Sequence, residues 1–363
     1  MMRAARALID LSALRHNFRK AREIAPSSRI LAVVKADAYG HGAVRVAAAL
    51  DEADAFGVAR IEEAQALRGA GIERRILLLA GVSDHEELAQ AVSLALDVVV
   101  HHESQIELLE RTRVDAPLEV WLKVDTGMHR LGIDAHAAAE AWQRLGACAA
   151  VAAPVRLMSH LACADEPGNA DTEAQIARFR ALEMYAGAET SLANSAALLA
   201  WPHAHVDWVR PGIMLYGISP FVGGRAQGEG LRPVMTFVSR LIAVNRVPAG
   251  AAVGYGGTWR APEDMLVGVV AAGYGDGYPR HAPSGTPVLV NAERVELIGR
   301  VSMDMLSVDL RSQPAAKPGD PVILWGRGLP AEEVAEHVGT IGYELVTRVA
   351  PRVARETLEA SQG

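Results

Sequence analysis

The chain has 363 residues, half of them apolar, and a net charge of −7. That length exceeds one ordinary compact domain unless the domain is an α/β barrel, and the apolar share is enough for a sizeable core. The acidic balance, with no long basic run, argues against nucleic acid or an anionic membrane surface as the main partner. Met1 to Asp10 lacks an apolar core of signal-peptide length, and no uninterrupted apolar run of about twenty residues occurs. The two cysteines, Cys148 and Cys163, fit neither a metal nor a disulfide spacing. A cytoplasmic protein without a membrane span or a metal site is therefore expected.

From residue 30 to about 215 a short apolar run is followed by a helical run, repeatedly. The apolar runs are Ile30–Val34, Ala55–Ala59, Ile76–Ala80, Leu96–Val100, Leu118–Val124, Val155–His160, Glu189–Ala193 and Val206–Arg210. Several are rich in Val, Ile and Leu, as buried parallel strands are. Between them Ser83–Ser93, Ser104–Arg111 and Asp171–Tyr185 read as amphipathic helices, the last with Asp171 as N-cap and Gly187 near its end. Ser195–Leu199 reads as a short helix. Eight strands with intervening helices predict an α/β fold, an N-terminal (β/α)8 barrel of the TIM type.

The pattern changes at Phe221–Pro233, a Gly-rich polar stretch that reads as a linker. Beyond it, Val234–Val247, Met265–Ala272, Thr286–Val290, Val295–Ile298, Met305–Leu310 and Pro321–Trp325 read as strands, and Pro330–His337 as one short helix. The expected division is a barrel over residues 7–228 and a C-terminal mainly-β domain over 229–363, with residues 1–6 packing on the latter.

Lysine occurs only at Lys20, Lys35, Lys123 and Lys317; the other 32 basic residues are arginine. Lys35 lies just past an apolar strand in ILAVVKADAYGHG, residues 30–42. A partly desolvated Lys at a barrel strand end has a lowered ammonium pKa and can attack an aldehyde. Arg cannot replace it there, because its guanidinium stays protonated. Gly40 and Gly42 permit a tight backbone turn. The residues alone leave open an ordinary surface Lys whose head reaches water from the strand end.

The whole string resembles the cofactor-lysine motif of the alanine racemase family, and further motifs follow in order along nearly the entire chain. The resemblance implies pyridoxal phosphate held as an aldimine on Lys35. It makes Tyr255, in VGYGGTW, the second catalytic base, reaching across a homodimer interface into the other subunit's barrel. Lys35 would then work on the α-proton of the D-enantiomer and Tyr255 on that of the L-enantiomer. Arg210, in DWVRPGIMLYG, would bond the pyridine nitrogen, and His160, in MSHLACAD, would bridge Arg210 to Tyr255. Such an Arg keeps the ring nitrogen neutral, where many enzymes using this cofactor place a carboxylate.

By the same resemblance Ser195, the backbone of Gly212 and Ile213, and the hydroxyls of Tyr39 and Tyr343 bind the phosphate. Arg130 and the backbone amide of Met303, the latter from the partner, bind the substrate carboxylate. Asp304 orders the Met303 loop, and Lys123 is carbamylated and holds Arg130. Tyr274, in GYGDGYPR, and Tyr343 narrow the approach and favour a one-carbon side chain. One methylene is worth roughly 1–3 kcal/mol of discrimination, so selectivity for alanine over serine is expected to be incomplete. The activity implied is interconversion of L- and D-alanine, for peptidoglycan or for alanine breakdown.

Two other readings are weighed. A decarboxylase on the same barrel would carry a carboxylate at the ring nitrogen, which Arg210 opposes. A non-catalytic protein binding pyridoxal phosphate would be a lone barrel, which the β domain opposes.

Overall fold

The computed structural model describes residues 5–358. Residues 1–4, part of the N-terminal segment expected to pack on the β domain, and residues 359–363 lie outside the described residues. Among the described residues eight parallel strands close into a ring: Arg29–Val33, Ala55–Val58, Arg75–Leu78, Asp97–Val100, Leu118–Asp125, Val151–Met158, Thr190–Ser191 and Trp208–Val209. The ring closes where Trp208 pairs with Arg29 and Val209 with Ile30. Each of the eight apolar runs read from the sequence overlaps one of these strands, though the sixth strand begins four residues before its run. The short second to fourth strands are buried almost throughout, which is why they appear as continuous apolar runs rather than alternating ones.

Helices connect the strands on the outside. Leu11–Ile24 starts at Asp10, whose carboxylate accepts the backbone N–H groups of Ser12 and Ala13 at 2.9 and 3.0 Å. It buries Ala13, Leu14, Asn17, Phe18 and Ala21 on one stripe. The helix expected from Asp171 spans Ala170–Arg180 instead and is capped by Asn169, whose side chain accepts the Asp171 N–H at 2.9 Å. Asp171 lies in its first turn, where a carboxylate also suits the helix dipole.

The second sheet runs in the order Met265–Val270, Leu306–Asp309, Glu293–Ile298, Pro287–Val290, Pro321–Trp325, Met235–Val247, Arg6–Asp10, Ala354–Leu358. The long strand Met235–Val247 shifts register after Phe237 and after Leu241. Its far half then turns to Met265–Val270, and six strands close on themselves. Residues 7–10, taken with the barrel from the sequence, belong to Arg6–Asp10, which pairs with Met235–Val247 and Ala354–Leu358. The apolar run of this segment suits either body, and only long-range pairing decides between them. Helix Gly342–Thr347 and strand Ala354–Leu358 are additional to the elements read from the sequence. One apolar core, from Ala7 to Val353, runs through both bodies.

The two mouths of the barrel differ in chemistry. At the end where the strands begin, Asp97 accepts Arg75 at 2.7 Å and the Trp121 indole N–H at 2.8 Å, while Arg156 is held between Glu119 and Glu189. Every charge in that group has an opposite neighbour, a structural closure. The other mouth, where strands end, is the face on which barrel enzymes place their chemistry. No helix among the described residues is long and apolar enough to cross a membrane.

Candidate functional site

A cavity of about 960 Å³ opens at the C-terminal mouth of the barrel. It is lined by Lys35 and Tyr39 after the first strand, Lys123 on the fifth, Arg130 after it, His160 after the sixth, Ser195 after the seventh, and Arg210, Gly212 and Ile213 after the eighth. Tyr343 reaches it from the β domain. Ten positions singled out from the sequence thus share one space. Residues 221–225, read as a linker, form part of its wall.

Lys35 is followed by an unusual turn. Ala36, Asp37, Ala38 and Tyr39 all have φ of 52–54° and ψ of 40–51°, one turn of left-handed helix. For residues with a side chain each such position costs roughly 1–2 kcal/mol. The turn is held from all sides. Glu63 accepts the Ala36 N–H at 2.6 Å, and Asp37 accepts the Ala43 N–H at 2.8 Å. His41 Nδ1 lies 3.0 and 2.9 Å from the carbonyls of Ala38 and Tyr39. Arg355, from the β domain, donates to the Gly40 carbonyl at 2.7 Å. Gly40 has φ of 81°, and a Cβ there would stand 2.3 Å from the Val346 carbonyl oxygen, so only glycine fits. Tyr39 packs against Tyr216, centroids 4.9 Å apart, and Tyr216 donates to the Val33 carbonyl at 2.9 Å.

Five cations line the cavity; Arg225 pairs with Glu336, whereas Lys35, Lys123, Arg130 and Arg210 make no ion pair within the described residues. Their mutual repulsion adds to desolvation. Burial lowers the Lys35 amine below the ordinary lysine range, the Arg130 charge lowers it further, and Glu63 opposes both. Burial and the charges of Arg210 and Arg130 bring Lys123 down to about 8. Arg210 is lowered to about 10 by burial and so stays charged at neutral pH. Its guanidinium donates to Ser191 Oγ and to the carbonyls of Ser159 at 2.6 Å and Leu192 at 3.3 Å, and its Nη2 lies 3.4 Å from His160 Nδ1. His160 falls well below its usual value through burial and then the Arg210 charge, so the imidazole is neutral.

Beside this cationic wall, Ser195 Oγ accepts the N–H groups of Gly212 at 2.8 Å and Met214 at 3.3 Å. A Cβ on residue 212 would stand 2.6 Å from Tyr39 Oη, so glycine is what lets that hydroxyl approach. Buried Gln175 joins two loops of the site, donating to the His160 carbonyl at 3.2 Å and to Thr126 Oγ1 at 3.4 Å and accepting the Ala162 N–H at 2.9 Å. His41, Glu63, Gln175, Tyr216 and Arg355 were not singled out from the sequence. Of these His41 and Tyr216 carried a signal, their places in the Lys35 and Arg210 strings.

Tyr255, Met303, Asp304 and Tyr274 do not line the cavity that holds Lys35. Tyr255 is 68% exposed and Met303 53% exposed. They lie on one face of the β domain. The backbone N–H of Gly275 bonds the Met303 carbonyl at 2.8 Å and that of Tyr274 the Ser302 carbonyl at 3.0 Å, while the Gly254–Gly256 turn lies against Arg300. Arg352 ties Asp304 and Asp276 together, each at 2.8 Å, and thereby fixes the Met303 loop.

Residues 9–220 match the alanine racemase N-terminal domain and residues 234–357 the alanine racemase C-terminal domain. The chain belongs to the alanine racemase family. It is 56% identical over 354 residues to an alanine racemase of Nitrosococcus oceani, covering 98% of this chain and 99% of that one. It is 53% identical over 349 residues to one of Shewanella loihica, covering 96% and 98%. The crystal structure of the biosynthetic alanine racemase from Pseudomonas aeruginosa superposes with a TM-score of 0.95 at 49% identity, over 99% of this chain and all of that one. The barrel with its mainly-β partner is therefore the architecture of this family.

Lys123 gives the site a measurable pH signature. The unfolded chain protonates it near 10.5 and the folded chain at about 8, so the folded state carries the full penalty of the charged amine below pH 8. The penalty is relieved as pH rises from about 8 to 10.5. In CO2-free buffer Lys123→Met should melt above the wild type at neutral pH, and the gap should narrow across that window. Calorimetric Tm values that diverge with rising pH would contradict the assignment.

Proposed function

We propose that this chain interconverts L- and D-alanine as a homodimer, with pyridoxal phosphate held on Lys35. The observation that carries the reading is the lowered-pKa amine of Lys35 with three further unpaired cations, Lys123, Arg130 and Arg210, in the same cavity, which suits an anionic cofactor and an anionic substrate together. The residues fit the group. Lys35 offers the amine for its aldehyde. Ser195, the backbone of Gly212 and Ile213, and the hydroxyls of Tyr39 and Tyr343 would hold its phosphate. Arg210 would bond its ring nitrogen. When bound, the group supplies an electron sink that acidifies the α-C–H of an amino acid.

The chain's own residues then do the proton work. Arg130 and the backbone N–H of Met303 of the partner subunit would bind the alanine carboxylate. Lys35 Nζ would take or return the α-proton on one face, serving the D-enantiomer, and Oη of the partner subunit's Tyr255 on the other, serving the L-enantiomer. A free Tyr titrates near 10, so it needs neighbouring positive charge to act at neutral pH. Arg210 would supply this charge, with the neutral His160 it contacts as the bridge. Dimerisation is supported by the exposed Tyr255, Tyr274 and Met303, which lie on the β domain outside the cavity that holds Lys35. Tyr274 and Tyr343 would gate the approach. The unpaired Cys148 and Cys163 fit a reducing, cytoplasmic setting.

Polarimetry on the purified, yellow protein should follow loss of rotation from L-alanine without CO2 release, and borohydride should fix the label on Lys35. Release of CO2 would favour the decarboxylase, and a colourless protein that binds no cofactor would overturn the reading. Tyr255→Phe should slow racemisation on the order of 10²- to 10⁴-fold, the usual worth of a general base, while the yellow colour persists; a fully active variant would refute the two-base assignment.

Lys123 is read as carbamylated. Its amine, lowered to about 8, has a much larger neutral fraction at working pH than an ordinary lysine, the neutral amine is the form that adds CO2, and the resulting anion would sit between Arg130 and Arg210. Isotope-labelled bicarbonate should give a carbamate resonance that Lys123→Met lacks. Identical spectra from the two proteins would exclude it.

A further inference from the structure

His41 lies in the string that carries Lys35 and has no part in the mechanism above. It is fully buried. Its Nδ1 faces the carbonyl oxygens of Ala38 and Tyr39 at 3.0 and 2.9 Å, so that nitrogen carries the proton and donates to both. These carbonyls belong to the last two residues of the left-handed turn. The imidazole ring packs on Tyr216 with centroids 4.6 Å apart, and Tyr216 in turn packs on Tyr39 and donates to the carbonyl of Val33, two residues before Lys35. Its other nitrogen, Nε2, meets no hydrogen-bond partner within the described residues.

That combination is informative. A position that only filled space against Tyr216 would be served better by a phenyl ring, which strands no polar atom. The imidazole adds one thing to the stack, a donor aimed at two carbonyls of backbone in the left-handed region. Burial lowers the imidazole to about 4, so the ring remains neutral and the same tautomer persists at any working pH.

We infer that His41 is a positioning residue for Lys35, its Nδ1–H pinning the left-handed turn so that Lys35 and Tyr39 both project into the cavity. The turn has no glycine until Gly40, and of its four residues only Asp37 is of a type that tolerates the left-handed region. Released from the His41 donor, Ala38 and Tyr39 would relax toward ordinary backbone, and the Lys35 and Tyr39 side chains would lose their shared direction. The inference rests on the reading that Lys35 holds pyridoxal phosphate.

Two substitutions separate the donor from the ring. His41→Phe keeps a ring against Tyr216 and removes the donor. His41→Asn keeps an N–H on Cγ, where Nδ1 is attached, and removes the ring. Apo protein is titrated with pyridoxal phosphate, followed by absorbance and by intrinsic fluorescence. Tm of the apo form and kcat and KM for alanine are measured beside it. His41→Phe should bind the cofactor more weakly and lose kcat on the order of 100-fold, the scale of a misplacement of about 1 Å, with KM changed far less and apo Tm equal to or above wild type. His41→Asn should recover cofactor affinity and kcat to within several-fold of wild type, whatever its Tm. A His41→Phe variant that binds and turns over as wild type does would overturn the inference, as would an Asn variant no better than Phe. Should the Phe variant not fold, an Asn variant with wild-type affinity upholds the donor and one without it refutes the donor. Wild-type protein that takes up no pyridoxal phosphate would overturn the reading beneath it.

Discussion

The site depends on four residues with side chains held where side chains are disfavoured. Ala36 to Tyr39 keep positive φ directly after Lys35, at a cost of roughly 1–2 kcal/mol each. The opposing contacts come from separate parts of the chain: Glu63 on the second barrel helix, His41 and Asp37 locally, and Arg355 with the Val346 backbone in the β domain. Placement of the lysine therefore draws on both bodies of the fold. The core that runs without a break from barrel to β domain keeps those contacts in register.

The second constraint is electrostatic. At the closed mouth every charge faces an opposite one, as in the Arg75–Asp97 and Arg156–Glu189 pairs. At the open mouth Lys35, Lys123, Arg130 and Arg210 face one another across the cavity with no carboxylate partner. That arrangement disfavours the unliganded state and favours any anion that fits. Burial, and after it the same repulsion, lowers the two lysine amines toward neutrality, the form in which an amine attacks a carbonyl carbon. One cluster thus provides both affinity for anions and a nucleophile, and a barrel strand end is where it can be built without exposing the core.

Much of this was legible in the sequence, for physical reasons. Parallel strands buried on both faces leave continuous apolar runs, so all eight barrel strands could be read. Lys35 drew notice because lysine is scarce in an arginine-rich chain and because it follows a strand. The left-handed turn left no trace, since Ala-Asp-Ala-Tyr carries no glycine and its conformation is imposed by Glu63, His41 and Arg355. Glu63 and Gln175 were equally silent, since each acts through contacts with other loops that no local pattern records. Residues 7–10 were given to the barrel because strand pairing with Met235–Val247 is not written locally. Tyr255 and Met303 stood out through family resemblance alone, and their exposure on the β domain is what a residue completing another subunit's site would display.

The central claim is that each active site draws Lys35 from one subunit and Tyr255 from the other. It is tested most directly by mixing two inactive variants, Lys35→Ala and Tyr255→Phe, under conditions that exchange subunits. Random association makes half the dimers mixed, each with one intact site, so about one quarter of wild-type racemase activity should return. If both residues act within one chain, no mixture restores activity, and a mixture that exchanges subunits yet stays inactive would contradict the account.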